Sequence, residues 1–188
     1  MCYLCETNPV YEFTNKRKVC KNCFIKYFQK KFLYIIRKYG LIKKEEKICF
    51  FEKKDFRSVV LRYLLEGFFT KYGNELIEIK NLEGCKPCDK VALEDSADVV
   101  SKDFFNKIVN EKNIIPESFL VFDENKKIIR PLYLFLDKEI KLYAGLKNLD
   151  YDKKVSENNI FDNFIDGLEK KHLELKTSVI SSCLKLFL

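Results

Sequence analysis

The chain has 188 residues, of which 47% are hydrophobic, 34% charged and 14% aromatic, with Phe and Tyr but no Trp. That length allows one ordinary domain, or one domain plus a small module, and the balance supplies both a packed core and a soluble surface. No uninterrupted apolar run approaches the roughly 20 residues of a membrane span, and no basic start followed by an apolar stretch reads as a leader. A soluble protein of a reducing, cytoplasmic compartment is therefore expected, with cysteines read as thiolates or ligands before disulfides.

Net charge is +7. It is uneven: residues 1–73 hold 17 Lys+Arg against 7 Asp+Glu, whereas residues 74–188 hold 18 against 21. A basic N-terminal portion suits a polyanion such as nucleic acid, and general lysine enrichment is the alternative.

In chain order, Cys2, Cys5, Cys20 and Cys23 come first, as two Cys-x-x-Cys pairs separated by 14 residues. Each pair fits a tight turn that aims two sulfurs at one point, and two such turns form a tetrahedral thiolate set. A closed four-thiolate site suits a structural Zn²⁺, and an iron–sulfur cluster accepts the same four residues. Between the pairs, "PVYEF" reads as a strand and "TNKRK" as its turn. Phe24, Phe28, Phe32, Ile35 and Tyr39 then recur at helical spacing, with Gly40 as the stop. Lys16, Arg17, Lys18 and Lys21 on the ribbon, with Lys26, Lys30, Arg37 and Lys38 on the helix, are candidate phosphate contacts; a merely solvated helix face is the plainer reading.

"KICFF" (47–51) reads as a buried strand, "FRSVVLRYLLEGFF" as a helix and "NELIEI" (74–79) as a second strand, which makes a βαβ unit of a parallel sheet. The loop after the first strand faces the ligand in such folds. Here it is Phe51-Glu52-Lys53-Lys54-Asp55-Phe56, without a glycine to wrap a phosphate and with an acid to repel one.

Cys85 and Cys88 form a third pair, open to a redox or half-metal role, ahead of an expected helix carrying Val91, Ala92 and Val99. Cys49 and Cys183 read as core residues and His172 as a surface helical one. "SFLVFDENKKIIRPLYLF" suggests two strands around an Asp-Glu-Asn turn. Asp137 is the expected cap of a helix with Ile140, Tyr143 and Leu146 inward. From Ser156 onward the chain reads as helical, with Phe161, Phe164, Ile165 and Leu168, then Val179, Ile180 and Leu184 inward.

The order of these pieces resembles the cytoplasmic tRNA 2-thiolation proteins. The residues that carry the likeness are the CxxC…CxxCF segment and helix running into residues 47–51, "CDKVALEDSADVV" from Cys88, Arg130-Pro131-Leu132 with Lys138, Glu139 and Tyr143, and the tail "TSVISSCLKL". The family's Ser-Gly-Gly-x-Asp-Ser loop binds ATP pyrophosphate; of that loop only Lys54 and Asp55 remain here, so ATP binding is not expected. The resemblance implies an α/β fold: a zinc ribbon with a basic amphipathic helix over residues 1–42, and a reduced, Rossmann-like (adenine nucleotide alpha hydrolase-like) parallel-sheet domain over 43–188. The lost loop points to the non-catalytic branch, the cytoplasmic tRNA 2-thiolation protein 2 family. For that branch it implies a heterodimer with the catalytic paralogue, tRNA as the shared substrate, and a thiocarboxylated ubiquitin-related modifier as sulfur donor. An active enzyme of the same family working through Cys85 or Cys88, and a zinc-ribbon RNA-binding module without a modification role, are the two alternatives.

Overall fold

The computed structural model describes residues 1–5, 7–51, 53–81, 87–110, 121–122, 127–152, 167–169, 171–172 and 174–187. A two-stranded antiparallel hairpin opens the chain, β1 (Tyr11–Glu12) against β2 (Lys18–Val19), and α1 (Lys21–Tyr39) leaves it. The hairpin turn closes tightly: the Lys16 amide donates to Phe13 and the Phe13 amide to Arg17, each at 2.9 Å.

Helix α1 forms where the apolar period is expected. Phe24, Phe28, Phe32 and Ile35 are all buried, together with Ile36. Burying five such side chains contributes on the order of 10 kcal/mol before the entropy of ordering the chain is charged against it. Gly40 ends the helix at φ 56°, a left-handed conformation that glycine adopts without a Cβ penalty.

Next come β3 (Lys47–Phe51), α2 (Phe56–Tyr72) and β4 (Glu75–Ile79), the expected βαβ unit. β5 (Lys90–Ala92) follows, then α3 (Ala97–Asn110), β6 (Ile128–Ile129), α4 (Asp137–Leu146) and α5 (Leu175–Phe187). The four-stranded sheet has the order β4-β3-β5-β6, and every neighbouring pair is parallel. The fold class is thus α/β with a parallel sheet beside a cysteine-bearing hairpin. One core runs through α1, α2, α4 and one face of the sheet; a smaller cluster of Cys49, Ile79 and Val91 lies apart from it.

Three expectations are corrected. Val91 and Ala92 lie on strand β5, paired with Cys49 and Phe50 of β3, and only Val99 belongs to the following helix. Residues 131–134 turn rather than extend, although Phe122 does bridge Ile129 in antiparallel fashion. Asp137 is the first residue of α4 and not its cap, because its carboxylate is drawn to Arg57 and Ser96. Cys85, Asp123 to Asn125, Phe161, Phe164 and Ile165 lie outside the described residues, and His172 is exposed. No helix among the described residues is long and apolar enough to cross a membrane.

Candidate metal centre and anion loop

The two Cys-x-x-Cys turns converge. The sulfurs of Cys2, Cys5, Cys20 and Cys23 all lie within 4.8 Å of one another. Cys5 Sγ stands 3.4 Å from Cys20 Sγ and 3.6 Å from Cys23 Sγ. A tetrahedral Zn–S₄ centre with bonds of about 2.3 Å has sulfur–sulfur edges of about 3.8 Å, so the donor set fits a four-coordinate, thiophilic ion. The first turn is a knuckle in which the Leu4 amide points at Cys2 Sγ at 3.5 Å. Such amide contacts stabilise thiolate over thiol. A hydrogen bond from the Thr7 hydroxyl, followed by the Cys23 amide, lowers the Cys20 thiol to about 6, whereas hydrogen bonding to Cys5 and then burial push Cys23 up to about 12. The chemistry of four converging thiols suits a metal, and both zinc and an iron–sulfur cluster meet it.

All eight cationic candidates, Lys16, Arg17, Lys18, Lys21, Lys26, Lys30, Arg37 and Lys38, are exposed. They occupy the ribbon and the outer side of α1, while Phe24, Phe28 and Phe32 face inward.

At the carboxyl ends of β3 and β5, where a parallel sheet of this order places its ligand crevice, the geometry is different in kind. Asp55 caps α2: its carboxylate accepts from the Arg57 amide at 2.9 Å, the Ser58 amide at 3.4 Å and the Ser58 hydroxyl at 2.8 Å. A helix N-terminus is an anion seat, and here the anion is the protein's own. Arg57 reaches across to Asp137 with two hydrogen bonds, 2.8 and 2.5 Å, and Ser96 donates to the same carboxylate at 2.6 Å. The Asp137 amide donates to Asp98, whose other oxygen pairs with Lys176 of α5 at 2.7 Å. Lys176 also meets Glu169 at 2.6 Å, Arg130 meets Asp95 at 2.9 Å, and Lys53 pairs with Glu94. Lys54 is exposed and makes no ion pair among the described residues. Lys53, Arg57, Arg130 and Lys176 are thus already paired with acids of the chain, while Lys54 stays open to solvent.

Cys88 is not alone. It lies beside Cys49, in the middle of β3, with the Cα atoms 5.8 Å apart. The sequence offered no signal for this proximity, since the two residues are 39 positions apart and Cys49 reads as an ordinary core residue.

No protein-family model matches the sequence, and no curated protein matches it. Among solved structures, the U34-tRNA thiolase NcsA from Methanococcus maripaludis, with its [4Fe-4S] cluster, superposes with a TM-score of 0.76 at 18% identity, covering 98% of this chain and 86% of that one. The chain shares the fold of that thiolase. Identity at this level speaks for the fold alone, so the arrangement of hairpin, α1 and parallel sheet is shared with the thiolase, while the chemistry of each site rests on this chain's own residues.

Proposed function

We propose that this chain is the non-catalytic subunit of a tRNA wobble-uridine thiolase. The observation that carries the reading is the loop between β3 and α2, which has no glycine to wrap a phosphate and whose Lys53 and neighbouring Arg57 are paired with Glu94 and Asp137. A thiolase fold with such a loop is suited to support a catalytic partner, not to activate a nucleotide itself. On this reading the chain forms a heterodimer with a catalytic paralogue that retains a Ser-Gly-Gly-x-Asp-Ser loop. The pair thiolates the wobble uridine of lysine, glutamate and glutamine tRNAs, with sulfur from a thiocarboxylated ubiquitin-related modifier. This chain contributes tRNA binding through the basic ribbon and α1, and Cys2, Cys5, Cys20 and Cys23 hold a structural Zn²⁺.

The test is a native pull-down of the full chain with mass spectrometry, paired with calorimetric titration of Mg·ATP into the purified chain. The expected result is a near-stoichiometric paralogue with an intact loop and no heat from ATP. Saturable ATP binding by the chain alone would favour an active enzyme instead, and RNA binding with no paralogue would favour a stand-alone module.

A further inference from the structure

Four of the eight exposed large apolar side chains among the described residues crowd into the first ten positions: Met1, Tyr3, Leu4 and Val10. Tyr3 and Leu4 are the two middle residues of the first Cys-x-x-Cys knuckle, and each is 64% exposed. The middle residues of the second pair, Lys21 and Asn22, are polar, so the knuckle geometry itself does not require apolar ones. The Tyr3 amide is pinned to the Lys18 carbonyl at 2.8 Å, which holds the residue on the β1–β2 hairpin. The Arg17 guanidinium lies over the Tyr3 ring, 5.1 Å from its centroid. Lys16 and Lys18 flank it in sequence, and the hairpin's one carboxylate, Glu12, is paired with Lys18 at 3.3 Å.

An exposed aromatic ring backed by a planar cation, on a rigid turn with an apolar fringe and uncompensated positive charge, matches what an unstacked nucleobase and its phosphates require. Lys16, Arg17 and Lys18 gathered around the ring favour a polyanion as the occupant over a neutral protein surface. We infer that Tyr3, backed by Arg17, is a stacking platform for one unpaired base of a single-stranded RNA segment. The inference deepens the proposed tRNA-binding role and rests on it for the identity of the RNA, though not for the chemistry of the platform.

The experiment uses the full, metal-loaded chain and two probes: an oligouridylate twelve-mer carrying 5-bromouridine, and an unmodified transcript of a lysine tRNA. Binding is measured across a salt series, and photocrosslinks are mapped by peptide mass. Tyr3→Ala is expected to weaken binding of both probes by roughly tenfold with an unchanged salt slope, because stacking is not ionic. Tyr3→Phe stays within about twofold of the wild type, and Arg17→Gln lowers the salt slope by about one. The crosslink maps to the tryptic peptide holding Tyr3. Wild-type affinity in Tyr3→Ala while tRNA still binds overturns the platform and leaves the thiolase reading standing. Tyr3-dependent oligouridylate binding without tRNA binding does the reverse. If Tyr3→Ala instead releases a protein subunit and leaves both RNAs bound, the patch is a protein interface and the inference fails.

Discussion

The Gln29 side-chain amide donates to the Tyr143 hydroxyl at 3.1 Å, across 114 residues of sequence. Beside it, Phe28 stacks on the Tyr143 ring with centroids 4.2 Å apart, and Lys31 meets the buried Glu139 at 3.1 Å. The Lys-Glu-x-x-x-Tyr motif at 138–143 is therefore the socket into which the ribbon's helix is plugged. Glu139 serves α4 as well, since it accepts from the Leu136 amide at 3.1 Å.

Breaking that socket should loosen α1 from the sheet domain. Glu139→Ala strands Lys31 and the Leu136 amide together, at a cost of about 2–3 kcal/mol. For a chain of this size that lowers Tm by roughly 5–10 °C. Thermal unfolding followed by circular dichroism checks it, with Lys138→Ala, next door on the same helix but outside the Lys31 pair, staying close to the wild type.

Alkaline pH should act on the same place. Burial raises the Tyr11 and Tyr27 phenols, with Glu139 nearby adding to the shift, and burial pushes Tyr143 up to about 12. The unfolded chain releases these protons near pH 10 and the folded chain holds them, so stability is full below pH 10 and declines as pH rises above it. The slope is at most about 1.4 kcal/mol per pH unit for each phenol. Urea midpoints between pH 9 and 11 should fall, and fall less steeply in Tyr143→Phe.

Metal analysis of the purified chain should give one zinc per molecule and no iron absorption in the visible range. Cys2→Ser with Cys5→Ser removes two of the four sulfurs and should abolish zinc retention and solubility together. Full zinc retention by that double variant would sink the four-ligand assignment, and a brown, iron-bearing protein would replace zinc with a cluster.

Sequence alone revealed the parts whose cause is local. Phe24, Phe28 and Phe32 announce α1 through a 3.6-residue period, and Gly40 announces its end. The paired cysteines announce a shared centre because spacing within each pair is itself the geometry. What stayed hidden depends on distant partners. Val91 and Ala92 become a strand because Cys49 and Phe50 lie alongside, while locally Ala and the following acids look helical. Asp137 looks like a cap until Arg57, 80 residues earlier, claims its carboxylate. The internal neutralisation of the crevice is of the same kind, since Asp98 and Lys176 meet only once the fold has formed.

The self-filled anion seat also constrains how the chain can change. Replacing Asp55 with glycine would vacate the α2 N-terminus, yet Arg57 would still be held by Asp137 and Lys53 by Glu94. Each carboxylate left behind would repel an entering phosphate, and each carboxylate removed alone would strand a cation. No single substitution opens this cluster without leaving a carboxylate or a cation unpaired. The arrangement works as a ratchet: acids turned inward hold one another's partners, so every single step out of it costs stability first.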